Sequence, residues 1–143
     1  MIVLYDADCG FCRWAMAWAL RRDHRNLLLA VPIQSPLGCE LLADIDPSDR
    51  LRSAHVVGDD GRRRSAGGAA AEVLRVLPQT QRLARLAQRL PNTTTLLYGV
   101  VAKRRSAFGR LVGNEARVRA DRLLQASSAT TAAELEVRSR SPT

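Results

Sequence analysis

A four-residue apolar run, Ile2-Val3-Leu4-Tyr5, breaks at Asp6-Ala7-Asp8, and Cys9-Gly10-Phe11-Cys12 then opens a stretch of helical period. No other feature constrains the fold as tightly. The short apolar run suits a buried strand. Phe11, Trp14, Ala15 and Trp18 fall at i, i+3, i+4 and i+7, one face of a helix that reaches about Arg22 and is expected to be buried. Arg21 and Arg22 close it with charges that complement the helix dipole. Two cysteines three apart at a helix start lie within disulfide reach, at the end where unpaired N–H groups favour a thiolate. The thiolate is the attacking species in exchange. On this reading Cys9 attacks a substrate disulfide and Cys12 resolves the mixed disulfide from inside the first turn. Gly10 lets a partner backbone approach, and Arg13 brings positive charge to the thiols.

Downstream, Leu27–Ile33 reads as a second buried strand. Ser35-Pro36 is an N-cap with Pro at the first helical position, opening a short helix through Ala43. Asp46-Pro47-Ser48-Asp49 reads as a loop and Ser53–Val57 as a third strand. Asp59-Asp60-Gly61 then turns a hairpin into a short strand at Arg62–Ser65. Gly67–Leu77 is helical, with Ala70, Val73, Leu74 and Leu77 on one side, and stops at Pro78. The predicted order is β-α-β-α-β-β-α, an α/β fold in which strands separated by helices pair in parallel and the hairpin adds an antiparallel edge. From Gln79 the pattern is helical only. Leu83, Leu86, Ala87 and Leu90 form a stripe opposite Arg82, Arg85 and Arg89. Pro91-Asn92 breaks the chain, Thr93–Arg105 carries Leu97 and Val101 one turn apart, and a basic helix follows from Asn114 to about Gln125. Ala126–Thr143 shows no periodicity and is predicted to be disordered. The expected organisation is one redox domain over 1–125, with its core in 1–77 and appended helices in 79–125, and a tail over 126–143.

A C-x-x-C alone also marks half a zinc site. Placed between strand and helix in this element order, it matches thioredoxin and glutaredoxin cores. The fold expected is therefore a thioredoxin/glutaredoxin-like core with additional C-terminal helices. For zinc, the candidates beyond the pair are Cys39, His24 and His55, none at short paired spacing. No metal and no cofactor is expected. Cys39 reads as a buried small hydrophobe, and the two histidines as surface loop and strand positions. Asp6-x-Asp8 after an apolar strand also resembles the first motif of haloacid dehalogenase-like phosphohydrolases, whose carboxylates act with magnesium. His55-Val56-Val57-Gly58-Asp59-Asp60 mimics their late metal-binding motif. Against that stand Cys9 where Gly is expected, no Lys between the acidic motifs, and too short a separation.

Tyr5-Asp6-Ala7-Asp8-Cys9-Gly10-Phe11-Cys12 resembles the D-x-x-C-x-x-C signature of the DCC family of predicted thiol-disulfide oxidoreductases. The resemblance continues through Arg21-Arg22-Asp23, Pro32-Ile33-Gln34-Ser35, the Asp59-Asp60-Gly61 hairpin and Ser65–Ala71. More loosely, it takes in Tyr98, Ala102, Arg105 and Phe108-Gly109-Arg110, so that it spans Ile2 to Arg110. It implies a thioredoxin-like fold, with Cys9 and Cys12 as the redox pair and Asp6 as the family's acidic residue. Asp6 then acts either as proton acceptor for Cys12 or as a cap for the turn. One departure stands out. Thioredoxin-like proteins place a cis-proline before the third strand, whereas here that region is Leu51-Arg52-Ser53 and the nearest upstream proline is Pro47.

The 143 residues suit one domain, and 46% apolar content excludes wholesale disorder. Apolar stretches of about seven residues fall short of the ~20 that span a membrane. The N-terminus carries no export pattern, and three cysteines do not make a stapled secreted scaffold, so a cytoplasmic location is expected. The net charge is +8, with Lys103 the only lysine. It falls largely on the appended helices. That leaves a second functional reading, a basic module (Arg82, Arg85, Arg89, Lys103, Arg104, Arg105) for an acidic protein, RNA or an anionic surface.

Overall fold

The computed structural model describes residues 1–82, 85, 89, 90, 92, 96, 99, 100, 103, 104 and 113–140. The strands are β1 (Ile2–Tyr5), β2 (Leu29–Pro32), β3 (His55–Val57) and β4 (Arg63–Ser65). The helices are α1 (Gly10–Arg22), α2 (Pro36–Leu41), α3 (Pro47–Arg50), α4 (Ala66–Val76) and α5 (Asn114–Arg140). The strands form one mixed sheet in the order β2-β1-β3-β4. β1 and β2 run parallel, with Ile2 opposite Leu29 and Tyr5 opposite Pro32. This is the thioredoxin-like arrangement that the element order predicts.

Period-two alternation sorts β1 between two layers. Val3 and Tyr5 face a core built with Met16 and Ala19 of α1, Ala69 of α4, Val56 of β3 and Leu124 of α5. Leu4 faces the other way, onto Val31, Ile33 and Leu42, with Leu37, Ile45 and Leu51 around them. The sheet therefore has α1, α4 and α5 on one side and the α2–α3 region on the other. Ser35 caps α2 as expected, its hydroxyl accepting the Gly38 N–H at 3.1 Å. A Cβ at Gly38 would collide with the carbonyl oxygens of Pro32 and Ile33, so α2 lies against the end of β2 only because this position is glycine.

Several expectations need correction. β3 pairs antiparallel to β1, with Val3 opposite Val56. The segment expected to be a loop holds α3, opened by Asp46, whose carboxylate accepts the Ser48 N–H at 2.8 Å. This extra segment returns the chain to the C-terminal end of β1 before β3 begins, which reverses the strand. The buried residues of α1 are Met16, Ala17 and Ala19, while Phe11, Trp14 and Trp18 are only partly covered. Two neighbours, the sheet and α5, cover α1, so its buried band is wider than one stripe. The last stretch is not a tail from residue 126 onward, since α5 continues through Arg140. Helix-favouring Ala, Leu, Glu and Arg sustain it without an apolar period. Arg82, Arg85, Arg89 and Lys103 are exposed in helical backbone, whereas Leu83, Leu86, Ala87, Leu97, Val101 and Arg105 lie outside the described residues. No helix among the described residues is long and apolar enough to cross a membrane.

Candidate active site

Cys9 is the N-cap of α1, in extended backbone, and its sulfur accepts the Cys12 N–H at 3.3 Å. A thiol here occupies the position where Ser or Asp ordinarily caps, so a negative charge on Sγ would be met by backbone N–H groups. The Cys12 thiol lies 2.6 Å from the Cys9 sulfur, and both residues are half-buried and outside any disulfide. A disulfide needs about 2.05 Å between sulfurs. The pair is assembled for bridging, with little backbone movement required.

The acidic turn before the pair is held by a residue to which the sequence pattern gives no role. Gln34, just beyond β2, accepts the Ala7 N–H at 3.1 Å. Its side-chain nitrogen donates to Asp6 Oδ1 at 2.8 Å and to Asp8 Oδ2 at 3.2 Å. Asp6 Oδ1 also accepts the Asp8 N–H at 3.0 Å, and the Asp6 carbonyl accepts the Cys9 N–H at 3.4 Å. One amide thus ties the turn to the end of β2 and orients both carboxylates. Asp6, Cys9 and Cys12 each offer a ligand atom, all within 4.8 Å of one another. This carboxylate-plus-dithiol set is the metal-capable group that a search for further Cys and His overlooks.

A family model described as DCC1-like thiol-disulfide oxidoreductase matches residues 3–111. The chain belongs to the DCC1-like thiol-disulfide oxidoreductase family. It is also 31% identical over 106 residues to the uncharacterized protein YuxK of Bacillus subtilis (strain 168), covering 73% of this chain and 77% of that protein. No solved structure matches.

Two features surround the pair in this DCC1-like chain. The first is a cavity of about 280 Å³ between α1 and α4, over β1 and β3, with Cys12 and Asp6 at one end. Arg52, Ser53 and Ala54 line it from the position where a thioredoxin-like protein would carry its cis-proline, and no cis peptide bond occurs among the described residues. The second is α5, which begins beyond the family match and packs along α1 and against β2. Asp121 of α5 pairs with Arg13 at 3.4 Å, and the Arg117 side chain lies 3.8 Å from where a Cβ on Gly10 would be. Burial pushes the Tyr5 phenol above its usual range; the Arg13 guanidinium opposes this and the Asp121 carboxylate adds to it. Tyr5, Arg13 and Asp121 therefore form one electrostatic group behind the C-x-x-C turn.

The remaining candidates fall elsewhere. Cys39 is exposed on α2 rather than packed inside, with its thiol 3.6 Å from the Ile33 carbonyl. The Cβ-free Gly38 beside it takes the close contact with β2, which turns Cys39 outward. His24 is exposed, but His55 is buried, a correction to its surface assignment. His55 Nε2 lies 2.9 Å from the Arg50 carbonyl and Nδ1 2.7 Å from the Ser65 hydroxyl. A carbonyl can only accept, so Nε2 carries the proton and Nδ1 accepts from Ser65. Burial lowers the pKa of this ring, which is a structural post and not a ligand. Asp59 pairs with the Met1 amine at 3.1 Å, at the opposite end of β1 from Asp6. Asp60 pairs with Arg64 at 2.8 Å across the hairpin. A four-residue strand, about 13 Å long, separates the two acidic groups, so they do not form a phosphohydrolase site.

Proposed function

We propose that this domain catalyses dithiol–disulfide exchange, with Cys9 as nucleophile and Cys12 as resolving thiol. The observation that carries this reading is a cysteine pair outside any disulfide, with its sulfurs 2.6 Å apart at the first turn of α1 and Cys9 Sγ accepting a backbone N–H. In the first step Cys9 thiolate attacks one sulfur of a substrate disulfide. The Cys9–substrate disulfide forms and the other substrate half leaves as thiolate. In the second, Cys12 thiolate attacks the Cys9 sulfur, releases the remaining half and leaves a Cys9–Cys12 disulfide. Two electrons have passed to the substrate, and two equivalents of an external thiol, or one dithiol, restore the pair and leave as a disulfide.

Asp6 serves the second step by accepting the Cys12 proton, a role supported by its placement within 4.8 Å of both sulfurs. The experiment is single turnover of the reduced protein with a substrate disulfide. Cys9→Ser abolishes exchange, and Cys12→Ser accumulates the Cys9 mixed disulfide, visible as an added mass. Asp6→Asn retains the first step and slows the second. Disulfide reduction that survives Cys9→Ser would sink the reading.

The exposed Arg82, Arg85, Arg89, Lys103 and Arg104 support a recruiting role alongside exchange. Binding to an acidic surface that weakens steeply with salt and is indifferent to Cys9→Ser is its signature.

A further inference from the structure

The cavity beside Cys12 is far less polar than the turn that bears the thiols. Its described walls are Val3, Phe11, Ala15, Trp18, Val73 and Leu74, together with small side chains such as Ala70. Polar groups gather at its margin: Asp6 and Cys12 at the dithiol, and Arg52, whose side chain is 78% exposed and marks the open edge. An apolar cavity of about 150 Å³ already admits benzene, so about 280 Å³ holds a ring with its linker.

We infer that this cavity is the substrate subsite of the exchange reaction, and that it takes a small disulfide or thiol bearing an uncharged aromatic or branched alkyl group. The inference rests on the dithiol reading and adds the substrate class. Cys12, not Cys9, lines the cavity, and the two sulfurs are 2.6 Å apart. Before attack, the apolar body of the disulfide rests in the lumen, sheltered from water, with its sulfurs at the mouth beside the pair. Once the Cys9 mixed disulfide has formed, Cys12 attacks in line, and the departing half leaves from the face of the Cys9 sulfur opposite Cys12. Arg52, the cation in the lining, sits at the open edge and pairs with Asp49 at 2.9 Å, so a charged half carried into the lumen would be buried among apolar walls, which is costly. The class is therefore one whose buried end is uncharged.

The bonds made and broken are those of the two-step exchange above, with the substrate disulfide as oxidant. The test mixes pre-reduced protein with dithiodipyridine, uncharged and aromatic, or with bis(hydroxyethyl) disulfide, small and polar. Single-turnover rates are followed against concentration. Narrowing the lumen with Ala70→Leu, or separately Ala15→Leu, should lower the preference for the aromatic disulfide over the polar one by about tenfold, mainly through half-saturation. A preference unmoved in both variants, with folding verified by circular dichroism, overturns the subsite while leaving exchange intact. If the unsubstituted protein reduces neither disulfide, the dithiol reading falls and the subsite falls with it. A second readout needs no turnover. Bipyridine, which has no sulfur, should quench Trp18 emission in a saturable way in Cys9→Ser protein, and absence of saturable quenching overturns the subsite. Higher thermal stability of the leucine variants with the preference unmoved marks the cavity as a void filled by packing alone.

Discussion

At the scale of single residues, position decides chemistry more than exposure does. Cys39 is the most exposed of the three thiols, yet it lies inside a short helix with no backbone N–H of the described residues aimed at its sulfur. Iodoacetamide at neutral pH is expected to label Cys9 before Cys39, which peptide mass mapping after short exposures would read. Cys39→Ser should leave exchange rates within experimental scatter. Asp23 illustrates a structural carboxylate that the sequence shows only as the end of a basic helix. It is buried, and its Oδ2 accepts the Leu28 N–H at 2.6 Å, tying the end of α1 to the approach into β2. Asp23→Ala leaves that N–H unpaired and should cost about 1–3 kcal/mol, measured by urea unfolding. His55 sets a pH dependence. Burial lowers its pKa, so the unfolded chain binds the proton more readily than the folded one. Its contribution is fully present above the ordinary histidine value of about 6.5 and is lost as pH falls below that toward the folded value. His55→Gln should flatten the stability profile below about pH 6.5; an unchanged slope would assign it to other groups.

Among the elements, those with a strong local signal were legible and those defined by a partner were not. The apolar run of β1, the Ser35-Pro36 cap and the Asp60-Gly61 hairpin each announce themselves through a few adjacent residues. The place of Cys9 at the start of α1 was legible in the same way, though not its role as N-cap. The direction of β3 was not, because it depends on how α2 and α3 carry the chain back to β1, a matter of path and not of propensity. Gln34 was legible as part of the family-like Pro32-Ile33-Gln34-Ser35 segment, but its role was not, for a related reason. Its importance comes from meeting Asp6 and Asp8, 28 and 26 residues earlier in the chain, and nothing in its own neighbourhood signals that contact. α5 is the largest case. Its buried Ala120 and Leu124 are sparse along a polar helix, so no stripe identifies the face that packs on α1. Leu124→Ala should destabilise the fold by about 2–5 kcal/mol, and a loss below 1 kcal/mol on chemical denaturation would show α5 to be peripheral.

For the whole molecule, charge and topology act at different places. The Asp44–Arg63 and Asp60–Arg64 pairs brace the β3–β4 edge, and the arginines hold both carboxyls at about 2. These folded values lie below those of an unfolded aspartate. Their stabilisation is therefore present above about pH 4 and lost as pH falls toward 2. Stability is expected to decline in two steps, a histidine-linked one below about pH 6.5 and a carboxylate-linked one below about pH 4, and urea unfolding repeated from pH 8 to 2 would resolve them. The family match ends at residue 111, whereas the core that supports the thiols includes Leu124. This has a consequence for biosynthesis. The chain is made from its N-terminus, so Cys9 and Cys12 leave the ribosome more than a hundred residues before the helix that flanks them. Throughout that interval α1 lacks its α5 partner, and Arg13, one residue past Cys12, lacks Asp121.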